Sequence, residues 1–178
     1  MQSSVTIAQS LKSYQNYIPR VDTDSSPQQR RRASSSRGCE GEEKAQLTII
    51  APEEIALTAS THPTFWINLS EVPSHTVRVS ISHPKESEPI YEKDLTIEKA
   101  GFQRIDIPTS RPKLRSGETY ILTVGILCNP LRLSESVYAR VVFKKVDLTA
   151  QTKQKLVLAT NDTQKAAIFA SEGIGMMR

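Results

Sequence analysis

Leu114-Arg115-Ser116-Gly117-Glu118-Thr119-Tyr120-Ile121-Leu122-Thr123-Val124-Gly125-Ile126-Leu127 is the stretch on which the fold turns. From Thr119 onward it is apolar on both faces of an extended chain: Tyr120, Leu122, Val124 and Ile126 point one way, Ile121 and Leu127 the other. A strand covered on both sides belongs in the middle of a sheet. The next run, residues 136–144, sets Val137, Ala139, Val141 and Phe143 against Tyr138, Arg140 and Lys144. Upstream, residues 75–81 set Val77, Val79 and Ile81 against Thr76, Arg78 and Ser80. Runs at 46–51, 63–69, 89–95 and 102–107 have the same β-branched and aromatic texture, broken by Pro, Ser, Gly and charge clusters at intervals of roughly 8–12 residues. Seven short strands of this kind predict a mainly β protein with an antiparallel β-sandwich over residues 46–146.

The spacing Leu114-x-x-Gly117-x-x-Tyr120 refines that reading. It resembles the tyrosine corner of immunoglobulin-like and fibronectin-like sandwiches, in which the phenol folds under the crossover between sheets and its hydroxyl bonds nearby backbone. A jelly roll or open barrel is the rival architecture, and a buried Tyr120 bonded to the preceding loop decides against it. Trp66, the only tryptophan, is expected to fill the space between the sheets; a sugar-stacking role requires it to be exposed. Phe65 beside it leaves open which of the two points inward.

The flanks have different textures. Residues 1–45 are rich in Ser, Gln and Arg without a sustained period, and are expected to be a disordered tail. Residues 1–38 hold six basic residues against Asp22 and Asp24, which accounts for the whole formal net charge of +4. The pI of about 9.1 therefore describes an appendage on a neutral body, and nucleic acid is not an expected partner. Residues 147–178 change to helical period, with Asp147 capping a helix over 148–160 and Asn161 or Asp162 capping another over 163–172. This short helical hairpin is expected to dock on the sandwich or on a partner. At 178 residues and 38% hydrophobic the chain can bury one modest core, and no window is apolar for the ~20 residues a membrane span needs.

Chemistry is sparsely signposted. His62 and His83 each precede a proline and His75 opens a strand, so all three are expected on exposed loops. No HxH, HExxH, CxxC or GxSxG spacing occurs and no Gly-rich phosphate loop, so no catalytic residue, metal or cofactor is assigned. Glu53 with Glu54, Glu86 with Glu88, and Glu92 with Asp94 are the carboxylate pairs, and nothing favours one of them for hydrolysis. Arg30, Arg31, Arg32 and Arg37 are the candidates for contact with an anionic surface, although no aromatic is interleaved to stack on bases.

Arg37-Gly38-Cys39, Leu47-Thr48 to Ala51-Pro52, Leu57-Thr58, His62-Pro63-Thr64-Phe65-Trp66, Ile90-Tyr91, Leu114 to Tyr120, Cys128-Asn129-Pro130 and the closing Ala170 to Ile174 follow one another in an order that resembles a cyanobacterial family catalogued as domain of unknown function 928. The resemblance implies an all-β body with a helical C-terminal end, export to the periplasm or cell envelope, and no known reaction. The sequence departs from the family at Gly175-Met176-Met177-Arg178, where a further helix is expected, as in a truncated copy. It also departs at its start, where Met1 to Ser10 lacks the apolar stretch of a signal peptide; a start lying upstream, or a cytoplasmic protein, are the alternatives. The secretion that the resemblance implies leads to the expectation of a disulfide between Cys39, just before the first strand, and Cys128, at the end of the central one, with those strands running side by side.

Together these readings lead to the expectation of a non-catalytic binding or scaffolding module of the cell envelope, its partner another envelope protein or a glycan. A hydrolase with a dispersed carboxylate or histidine site, and an anionic-surface binder acting through the basic tail, are the alternatives.

Overall fold

The structure is a computed structural model that describes residues 30–34, 39, 45–52, 54–129 and 136–174. Nine strands lie among these residues: β1 (Arg32–Ser34), β2 (Gln46–Ile49), β3 (Ala56–Thr58), β4 (Thr64–Leu69), β5 (Val77–Ser82), β6 (Tyr91–Leu95), β7 (Gly101–Asp106), β8 (Thr119–Ile126) and β9 (Val137–Lys145). Two helices follow, α1 (Ala150–Leu158) and α2 (Asp162–Ser171). The strands form a four-stranded sheet in the order β1-β2-β4-β7 and a five-stranded sheet in the order β3-β9-β8-β5-β6. The doubly apolar strand β8 is the middle of the five, paired along its length with β5 and β9.

Each of the seven runs read from the sequence contains a strand, and β1 and β3 are additional. Three residues hold too little alternation to be recognised. β3 also departs from the all-antiparallel expectation, since it runs parallel to β9 with Ala56 opposite Phe143 and Thr58 opposite Lys145. The chain leaves β2 in one sheet and joins the outer side of β9 in the other, so this short segment is a crossover.

Rings from both sheets meet in the core. Phe65 on β4 packs edge-on against Phe143 on β9 at 5.1 Å, and Phe143 stacks on Tyr120 of β8 at 5.7 Å. Tyr120 is 1% exposed, and its hydroxyl accepts the backbone N–H of Arg115 at 2.8 Å. Gly117 supplies the turn between them at φ +80°, a conformation that side chains disfavour. Its N–H donates to the Lys145 carbonyl, and the Lys145 N–H returns a bond to Glu118. The loop before β8 is thereby clamped to the end of β9.

Because Phe65, Ile67 and Leu69 face inward, Trp66 faces out and is 38% exposed. The expected core role of Trp66 is corrected: a period of two cannot bury both neighbours, and Phe65 has the ring partner. The expected tail over residues 1–45 is corrected at residues 30–34, 39 and 45 alone. Arg30 exchanges both backbone hydrogen bonds with Arg140 of β9, and β1 then pairs with β2, so five residues bridge the two sheets. Ala33, Cys39 and Ala45 are buried. Backbone pairing and a covalent tie offset an ordering entropy that side-chain burial alone would not. Residues 1–29, 35–38 and 40–44 of that segment lie outside the described residues.

That tie is the disulfide Cys39–Cys128, with Cα atoms 5.1 Å apart and a sequence separation of 89. At the other end, α1 starts at Ala150 because Thr149, not Asp147, caps it, its Oγ1 accepting the Thr152 N–H. Asp147 instead takes the ammonium of Lys145 at 3.1 Å. Asn161 caps α2 through the N–H of Gln164. The helices bury only Thr152, while Val157 and Leu158 are exposed.

Two stability outcomes follow from this architecture. Tyr120→Phe keeps the ring stack but removes the acceptor of the Arg115 N–H, so urea unfolding is expected to show a loss of roughly 1–3 kcal/mol with unchanged slope. Replacing Cys39 and Cys128 together by Ser releases a long loop and is expected to cost up to ~4.5 kcal/mol on the chain-entropy account, read as a lower urea midpoint under non-reducing conditions.

Candidate functional site

Among the described residues, two gatherings of polar or aromatic side chains bear on function, and their chemistry differs. The first is the pole where β5 ends and β8 begins. His83, just past β5, is 5% exposed, which corrects the expectation that all three histidines sit on exposed loops. The Lys85 N–H donates to its Nδ1, so the proton sits on Nε2, which donates to Glu118 at 3.0 Å. Its ring packs edge-on to Tyr120 at 5.4 Å. Beside it, the Arg115 guanidinium donates to Glu86 at 2.6 Å. The hydrogen bond from His83, with Lys85 and Arg115 nearby, holds the Glu118 carboxyl below its ordinary range. Ser116 and Lys145 do the same for Asp147.

Every polar atom named at this pole already has a partner, and the network ties β5, the loop before β8 and the end of β9 together. It does not leave His83 with a free ring nitrogen for a substrate. His62 is similarly engaged, its Nε2 donating to the Arg111 carbonyl at 3.0 Å and its Nδ1 lying 3.2 Å from the Thr61 hydroxyl. His75 precedes β5, at the opposite end of that strand from His83. Of the carboxylate pairs, Asp94 and Glu92 flank Arg78, which donates to both oxygens of Asp94 at 2.6 and 2.9 Å. Arg78 holds Asp94 below its usual range. Glu86 belongs to the pole, and Glu53 lies outside the described residues. No group of three or more His, Cys, Asp or Glu among the described residues is placed to hold a metal ion.

The second place is the outer face of the four-stranded sheet. Register fixes its members, because residues directly opposite across antiparallel strands share a face. One row runs Arg32, Thr48, Asn68, Phe102. The next pairs Trp66 with Arg104, and the last pairs Thr64 with Asp106. Phe102 is 68% exposed, far more than a ring of its size normally is. Trp66 lies diagonal to it, within aromatic reach. The polar members are organised before any ligand arrives: Asp106 accepts the Thr64 hydroxyl at 2.6 Å and the Arg104 Nε–H at 2.9 Å. These two bonds, Thr64 first, hold the Asp106 carboxyl below the usual range, so it is an anion near neutral pH.

The arginines expected at an anionic contact have individual surroundings. Arg30 stacks over the Tyr138 ring at 5.8 Å, beside Arg140 at 5.5 Å. Arg31 donates to the Ala51 carbonyl, Arg32 stands exposed at the end of the outer row, and Arg37 lies outside the described residues. Phe102, Arg104, Asp106 and Asn68 are members of the face that sequence reading missed. The signal was present: Phe65, Ile67 and Leu69 on β4, Ile105 on β7 and Ile107 just past its end name the inward set, so the alternate residues face out.

Comparison with known proteins adds a family. The sequence pattern described as Domain of Unknown Function (DUF928) matches residues 32–175, beginning where β1 begins. No curated protein matches. Among solved structures, the crystal structure of an engineered protein is similar at TM-score 0.40 and 17% identity, covering 58% of this chain and 20% of that one.

The polar pole has a pH signature. A carboxyl depressed in the folded state adds stability above its unfolded pKa of ~4.3, and that stability disappears as pH falls through the lower folded value. Glu118→Gln is therefore expected to lower the melting temperature at pH 6–7, and the gap to the parent protein is expected to close toward pH 3. Differential scanning calorimetry across that range checks the sign.

Proposed function

The chain belongs to the family of the Domain of Unknown Function (DUF928), and on that premise we propose that it is a non-catalytic binding module of the periplasm or cell envelope. It docks through the outer face of the four-stranded sheet. The observation that carries this reading is the pair of exposed rings, Trp66 and Phe102, held on paired strands rather than on loops. Side chains on a rigid sheet lose little entropy on binding, and Trp is among the residues that most often dominate binding energy. The polar pole supports the same reading, since His83 is spent on Glu118 and Glu86 on Arg115. The disulfide supports an oxidising compartment, where such bonds persist.

The test is retention. The full chain is incubated with a washed envelope fraction, and the bound share is measured after sedimentation. The paired substitution Trp66→Ala with Phe102→Ala is expected to abolish retention while leaving the melting temperature near that of the parent, both rings being exposed. Unchanged retention would place docking elsewhere.

A further inference from the structure

We propose that the outer face of the four-stranded sheet is a glycan-binding site that takes a linear polysaccharide of consecutive pyranose rings. This rests on the docking reading above and names the ligand class of the same face.

Three features of the face select a sugar over a protein. The first is size. With strands ~4.8 Å apart and outward positions ~6.8 Å apart along each, one row across four strands and two rows across two fit inside a square about 14 Å on a side, below ~200 Å² against the ~800 Å² per partner of a standard protein interface. That span matches a short run of sugar rings. The second is the mixture. A pyranose has an apolar C–H face and a rim of hydroxyls, each both donor and acceptor. Trp66 and Phe102 offer flat apolar surfaces to the former. Arg104 and Asp106 offer fixed donors and acceptors to the latter, and Asn68 lies opposite Phe102 and two residues along β4 from Trp66. The third is charge. Arg104 is balanced by Asp106, so the centre of the face is close to neutral and presents hydrogen-bonding capacity rather than a field.

The geometry also orders the contributions. Trp66 sits directly opposite Arg104 on the neighbouring strand, so a ring stacked on the indole places its hydroxyls toward the guanidinium and the Asp106 carboxylate. Phe102, diagonal to Trp66 on the same face, receives the next ring along the chain. Removing the Trp66 surface is therefore expected to cost more than removing the Arg104 hydrogen bonds.

Trp66 is the only tryptophan, so its fluorescence reports this face and no other. The full chain is titrated with hexasaccharides of β-1,4-linked glucose, β-1,4-linked N-acetylglucosamine and 1,4-linked uronic acid. A saturable blue shift with at least one of them is expected, with the same affinity by calorimetry. Trp66→Ala is expected to weaken calorimetric affinity about tenfold or more, the cost of a dominant contact. Trp66→Phe is expected to recover part of that loss and Arg104→Met to lose less than Trp66→Ala. Val157→Ser, at a more exposed apolar site on α1, is expected to change nothing. Binding that survives Trp66→Ala would overturn the proposal. So would the absence of binding to all three sugars together with envelope retention that needs Trp66 but withstands enzymatic removal of glycans. That second outcome leaves the docking face standing with a protein partner, whereas retention indifferent to Trp66 removes the docking face itself.

Discussion

The packing of Phe65 against Phe143 across the two sheets is the constraint from which the surface of this protein follows. A strand has two faces and a period of two, so placing Phe65 inside places Trp66 outside. The register between β4 and β7 carries that choice to the neighbouring strand: Phe65 lies opposite Ile105, and Trp66 opposite Arg104. A slip of one residue on both strands would turn Trp66, Arg104 and Thr64 into the core. Burying an arginine without a paired and fully bonded environment costs several kcal/mol, so the slipped arrangement is excluded. The exposed rings are thus a consequence of the core rather than a tolerated defect in it.

Opposite demands are met at the pole. There the sandwich must bury the start of β8 beside a polar loop, and it does so by pairing each group: His83 with Glu118, Arg115 with Glu86, the Tyr120 hydroxyl with the Arg115 backbone. Buried polar groups are stable when all members of a network are satisfied and costly when one is left out. A network closed in this way has rigidity to offer and no reactive group to spare. That contrast separates the two places: the pole fixes the ends of strands in the five-stranded sheet, and the outer face of the four-stranded sheet presents its polar side chains to solvent.

Much of this was written in alternation. The two-sided apolar run of β8 named the central strand, and Leu114, Gly117 and Tyr120 marked the turn that leads into it. What escaped the sequence was set by partners far away in it. β3 is three residues long and owes its existence to the free side of β9. β1 owes its existence to β2 and to Arg140. His83 is buried because the loop before β8 brings Glu118 over it, and nothing local to His83-Pro84 announces that. Trp66 was readable in principle, since Ile67 and Leu69 extend the inward set from Phe65; the assumption that the largest ring belongs inside outweighed the period.

The N-terminal crossing joins these threads. A three-residue strand has too few hydrogen bonds to hold itself in place. β1 is fixed instead at both flanks: Arg30 is locked to Arg140 before it, and Cys39 is bonded to Cys128 after it. Both anchors lie on the five-stranded sheet side, at β9 and at the exit of β8, while β1 itself completes the four-stranded sheet. The disulfide therefore does more than shorten the unfolded chain. It holds the edge strand whose Arg32 closes the row formed by Thr48, Asn68 and Phe102, and so makes the outermost part of the candidate binding face depend on an oxidised thiol pair.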